Sequence, residues 1–95
     1  MLTGKQKRYL RSLANTLLPI AQIGKNGIEL NGLVSINQAL QARELVKISV
    51  LKNCEMEMEA IILDTLAYTK AELVQKIGRT FIIYKKSKEP KIILP

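Results

Sequence analysis

The chain has 95 residues, enough for one domain with a single modest core. Its composition, 47% apolar and 24% charged, is globular rather than disordered, so one domain over residues 1–95 is expected. A net charge of +7 with no histidine favours a polyanionic partner and removes the commonest general base and metal ligand.

Thr3-Gly4-Lys5-Gln6 has the spacing of a capping box, with Thr3 as N-cap and Gln6 three residues on. The helix it opens carries Leu10, Leu13, Ala14 and Leu17 as an apolar stripe. Lys5, Lys7, Arg8 and Arg11 occupy the rest of its surface, and Pro19 ends it by Leu18 at the latest. The run from Leu17 to Ile23 reads as a strand, followed by the loop Gly24-Lys25-Asn26-Gly27. Asn31 is the expected N-cap of a second helix through about Ala42, with Leu33, Ile36 and Leu40 on its buried side. Leu45 to Leu51 alternates as a strand, with Val46, Ile48 and Val50 on one face and Lys47 and Ser49 on the other. Met58, Ile61, Ile62, Thr65, Leu66 and Thr69 give a third helical stripe. Leu73 to Ile77 and Thr80 to Lys85 are short β-rich runs joined by Gly78-Arg79, a hairpin signal of the type II′ kind.

The expected fold is therefore α/β, in the order α-β-α-β-α-β-β, with helices packed on a mixed four-stranded sheet. Ser87 to Pro95 forms a basic tail whose Ile92-Ile93-Leu94 is placed to return to that sheet.

Charge is segregated along the chain. Residues 1–27 carry Lys5, Lys7, Arg8, Arg11 and Lys25 and no acid, whereas residues 53–72 carry Glu55, Glu57, Glu59, Asp64 and Glu72 against Lys70. Residues 73–95 return to Lys76, Arg79, Lys85, Lys86, Lys88 and Lys91 against Glu89. The third helix should thus be an acidic exterior, with the two positive ends converging on another surface.

Catalysis is not expected. Ser12, Ser35, Ser49 and Ser87 have no visible base, and Glu55 and Glu59 read as an acidic helix start suited to the macrodipole rather than a metal site. No cofactor, metal or small-molecule substrate is implied. The lone Cys54 suits a reducing compartment, and Met1 to Lys5 lacks the apolar core of a signal peptide, so a cytoplasmic location is expected. The basic amphipathic first helix lacks Trp and Phe anchors, which argues against a membrane surface.

Nucleic acid remains. The only aromatic residues are Phe81, Tyr9, Tyr68 and Tyr84, several of them expected in the core, so contact would rest on phosphates and shape rather than stacked bases. Lys5, Arg8 and Arg11 would attract the polyanion, with Lys7 beside them. The loop backbone would approach closely, and Lys25 and Asn26 would reach phosphate or ribose. Arg79 and Lys85 are further candidates. A plain β-to-α turn is the other reading of the loop, and the residues alone leave both open.

Ordered blocks along the whole chain carry a resemblance. They are Leu2-Thr3-Gly4-Lys5-Gln6-Lys7-Arg8-Tyr9-Leu10-Arg11, Gln22-Ile23-Gly24-Lys25-Asn26-Gly27, Ala42-Arg43-Glu44-Leu45-Val46-Lys47, Ala71-Glu72-Leu73-Val74-Gln75-Lys76-Ile77-Gly78-Arg79-Thr80 and Ile83-Tyr84-Lys85. With them the chain resembles the CRM domain family, and within it the short stand-alone bacterial members of the YhbY type. The resemblance implies a fold similar to the C-terminal domain of translation initiation factor three, and a GxxG loop, here Gly24 to Gly27, that touches RNA. It also implies a partner of ribosomal RNA in large-subunit precursors that assists ribosome assembly; a monomer is expected. The alternative is a module docking on a ribosomal protein through its acidic third helix. Lys70 stands where relatives often have glycine, and Asn15-Thr16 where they often carry histidine.

Overall fold

The computed structural model describes residues 1–95 and has the expected element order: α1 (Gly4–Ala14), β1 (Ala21–Ile23), α2 (Leu30–Arg43), β2 (Leu45–Val50), α3 (Met58–Thr69), β3 (Glu72–Ile77) and β4 (Thr80–Tyr84). The capping box forms as read. The Gln6 N–H donates to Thr3 Oγ1 at 3.1 Å, and the Thr3 N–H donates to Gln6 Oε1 at 3.0 Å.

The first strand is shorter than the apolar run suggests. The Leu17 N–H still donates to the Ala14 carbonyl, Leu17 packs beside α1, and Pro19 has no N–H to give a ladder. Pairing begins only where the Ile20 N–H meets the Lys47 carbonyl. The second helix also starts earlier than expected. Glu29, not Asn31, is the N-cap, and it makes no side-chain cap; its carbonyl takes the first helical bond from Leu33 N–H. Leu33 is only half-buried, while Ile36 and Leu40 are fully enclosed.

The strands lie in the order β1-β2-β4-β3, with β1 parallel to β2 and both β4 ladders antiparallel. The returning strand of the hairpin therefore inserts between β2 and β3. Such a central strand is covered on both faces, which explains the unbroken apolar run Phe81-Ile82-Ile83-Tyr84, all of it buried. Gly78 takes φ +56° at the tip, as a type II′ turn requires of its first central residue.

The sheet separates two cores. On one face Val46, Ile48, Val50, Phe81 and Ile83 meet Ile36 and Leu40 of α2 and Ile61 and Ile62 of α3. On the other, Leu45, Val74, Ile82 and Tyr84 meet Leu10 and Ala14 of α1, with Ile92 and Leu94 of the tail joining them. Thr65 and Thr69 are buried in α3, their hydroxyls donating to the carbonyls of Ile61 and Thr65. Lys70 closes α3 in the left-handed conformation at φ 62°, a position where glycine carries no Cβ penalty. No helix is long and apolar enough to cross a membrane.

Candidate nucleic-acid interface

Gly24 to Gly27 leave β1 directly and close a turn in which the Gly27 N–H donates to the Gly24 carbonyl at 3.1 Å. The two glycines serve different ends. Gly27 has φ +79°, and a Cβ there would stand 2.1 Å from Met56 Sδ. Gly24 has no positive φ, and nothing lies within 4 Å of where its Cβ would be. The fold demands glycine at 27, whereas at 24 glycine leaves open space in front of the turn.

The Lys25 carbonyl accepts the Glu55 N–H at 2.9 Å, which ties the turn to the segment before α3. The side chains of Lys25 and Asn26 stay exposed. Between turn and helix is a cleft of about 290 Å³, lined by the four loop residues together with Gly32 and Ile36, with the exposed Glu29 its only acid. The first turn of α2 has no side-chain cap beside this cleft, so its N–H groups keep their capacity to meet an anion.

Arg79 belongs to the same end of the sheet. Its Nε donates to the Val50 carbonyl at 3.2 Å and its Nη2 to the Leu51 carbonyl at 2.6 Å, while the Leu51 N–H donates to Ile23 just before the loop. Arg79 thus staples the hairpin to the end of β2, which Leu51 in turn joins to β1, and it remains exposed.

The first helix lies elsewhere. Lys5 and Arg8 are exposed and Lys7 and Arg11 half-buried on α1, but the helix packs over Leu45 and Tyr84, at the end of the sheet away from the loop. Pleat alternation puts Gln22, Lys47, Ser49 and Thr80 on this same face. They make a polar strip between the cationic helix and the loop end. Loop and helix therefore flank the strip rather than touch. Lys85 sits at the far end, with its Nζ donating to the Thr69 carbonyl at 2.7 Å, where a cation suits the C-terminus of α3.

The two basic ends do converge: Gln6 Nε2 donates to the Pro95 carbonyl, and the tail shares the α1 core. Acidic α3 lies on the opposite face, with Glu59 paired to Lys76. The Lys76 ammonium holds the Glu59 carboxyl below its ordinary value. Phe81 and Tyr84 are buried, so the sheet offers no stacking platform.

Glu44 is the residue the sequence pattern did not disclose. It is fully buried at φ 67°, and its Oε1 accepts the N–H groups of Lys91 and Ile92 while Oε2 accepts that of Ser87. Burial pushes its carboxyl up, but these backbone donors outweigh burial and hold it below the ordinary value. Nothing in the local pattern marks it, because a Glu at a helix end is usually solvated.

The family model of the CRS1/YhbY (CRM) domain matches residues 2–85. The chain belongs to the CRM family. The probable RNA-binding protein YqeI of Bacillus subtilis is 50% identical to this CRM protein over 98% of the chain and 97% of its own length. An RNA-binding protein of Haemophilus influenzae is 38% identical over 99% and 95%. The solution structure of a hypothetical Staphylococcus aureus protein, assigned a candidate RNA-binding role, covers all of both chains at 50% identity with a TM-score of 0.83. The fold of this CRM protein is thus that of a solved relative, with three helices on a mixed four-stranded sheet.

Proposed function

We propose that this CRM protein is a monomeric, non-enzymatic RNA-binding protein of the cytoplasm that associates with precursors of the large ribosomal subunit and assists their assembly. The observation that carries the reading is the turn at Gly24 to Gly27. Its backbone is locked by Gly27 and Glu55, its front is open at Gly24, and Lys25 and Asn26 project freely beside an uncapped helix start. Such a site suits a phosphate or ribose, with free N–H groups and a cation beside the same cleft and no Cβ at Gly24 in the way. Lys5, Lys7, Arg8 and Arg11 supply long-range attraction from across the polar strip, and Arg79 supports the loop end. The RNA-binding names of the relatives and the net charge of +7 support the same partner.

One observation favours a second reading. The outer side of α3 exposes Leu63 and Tyr68 next to Asp64, a mixed apolar and acidic stripe that suits a basic protein partner. Co-sedimentation with ribosomal particles before and after nuclease treatment separates the two. Loss of the protein from the particles on nuclease treatment supports RNA; retention with a ribosomal protein supports docking through α3.

A further inference from the structure

The last strand ends at Tyr84 and the family match at residue 85, yet the chain continues through Lys86-Ser87-Lys88-Glu89-Pro90-Lys91 to Pro95. This continuation is folded. Besides the three N–H groups held by Glu44, the Lys85 N–H donates to the Glu44 carbonyl at 2.9 Å, and the Ser87 hydroxyl donates to the Glu89 carbonyl at 2.9 Å. Ile92 and Leu94 anchor its far side in the α1 core. A buried carboxylate is costly unless hydrogen-bonded, and here both of its oxygens accept N–H groups of one lysine-rich segment.

That order has a visible product. Lys85, Lys86, Ser87, Lys88 and Lys91 line a cavity of about 480 Å³ at the C-terminal end of α2, with Gln41 opposite and Glu89 its only acid. The Lys85 ammonium already serves Thr69, but Lys86, Lys88 and Lys91 are exposed. The charge of Glu44 lies beneath them, satisfied by backbone N–H groups and pairing with none of these lysines. The lysine stems and Leu40 supply apolar wall, so it is the unpaired ammonium groups of Lys86, Lys88 and Lys91 that select an anion.

We infer that residues 85–91, folded around Glu44, are a second contact surface for RNA phosphates, with Lys86, Lys88 and Lys91 as the contacting cations and Glu44 as the positioning residue. The inference rests on the RNA reading above. The new surface leaves the opposite end of β4 from the loop, and five residues of strand separate the two ends by about 13 Å. A structured RNA that engages one surface meets the other at high effective concentration, so affinity gains without a deep pocket at either.

The test uses the full chain and a fluorescein-labelled RNA hairpin with single-stranded flanks, with Kd followed against salt. Lys86→Ala/Lys88→Ala/Lys91→Ala should melt as the parent does, bind more weakly, and lose about 0.7–0.9 of salt slope for each phosphate contact removed. The loop variant Lys25→Asp/Asn26→Asp is run beside it. Parental affinity and slope in the lysine variant, with weakened binding in the loop variant, overturns the tail surface and leaves the RNA reading standing. Failure of the parent to bind overturns both. Glu44→Gln, with all lysines intact, should speed amide exchange at Ser87, Lys91 and Ile92 and lower the salt slope together. Faster exchange with an unchanged slope refutes the positioning role, and if this variant does not fold, the lysine variant alone decides.

Discussion

Replacing each loop glycine by alanine separates the two roles assigned to them. At Gly27, φ +79° imposes left-handed strain of about 1–2 kcal/mol on any L residue. The new Cβ would also stand 2.1 Å from Met56 Sδ and 2.5 Å from its Cγ, so Met56 must leave its place against the first core. Displacing a half-buried methionine costs on the order of 1–2 kcal/mol. Gly27→Ala should therefore destabilise by about 2–4 kcal/mol, a fall in Tm on the order of 10–25 °C for a domain of this size. In a Met56→Ala background only the Cβ at 3.2 Å remains, and the cost should shrink to about the 1–2 kcal/mol of strain. Gly24→Ala, facing open space with no positive φ, should stay within about 0.5 kcal/mol of the parent. Urea and thermal unfolding of the parent, Gly24→Ala, Gly27→Ala, Met56→Ala and the Gly27→Ala/Met56→Ala double variant decide the matter. Equal stability of the two alanine variants would refute the division of labour, and an unchanged Gly27→Ala cost without Met56 would refute the steric part.

Other expectations follow from single residues. Lys70→Gly should raise stability by about 0.5–1 kcal/mol in thermal melts, because the left-handed φ of 62° then costs nothing; a lower Tm contradicts this. Glu44→Gln should cost about 1.5–3 kcal/mol near neutral pH, since an amide cannot accept from donors on both sides. The folded Glu44 carboxyl lies below its unfolded value, so its contribution is full above about pH 4.3 and is lost as pH falls through the folded value. The stability gap between parent and variant should close on acidification, and a gap that widens contradicts the assignment. Lys25→Asp/Asn26→Asp should weaken RNA binding and reduce its salt slope by about 1 with no change in melting temperature.

What could be read in advance was what is local. The capping box of Thr3 and Gln6, the alternation of β2 and the Gly78 turn depend on a few neighbouring residues, and they appear as read. The start of β1 differs from the sequence expectation because Leu17 serves α1 instead of a strand, a choice made by tertiary packing. Insertion of β4 between β2 and β3 is a long-range pairing, although the unbroken run from Phe81 to Tyr84 carries its mark. The loop itself was legible, but its division was not, since Met56 lies 29 residues from the glycine it crowds. Glu44 was invisible for the same reason: its partners lie 43 to 48 residues later.

A grip on RNA by the turn after β1 is the proposal on which the function rests. Titration of isotope-labelled protein with the RNA hairpin, followed through backbone amide signals, tests it most directly. Gly24 to Gly27 and Arg79 should shift first and most, while Leu63 and Asp64 on the outer side of α3 should stay still. Shifts confined to α3, with the turn unmoved, would contradict it.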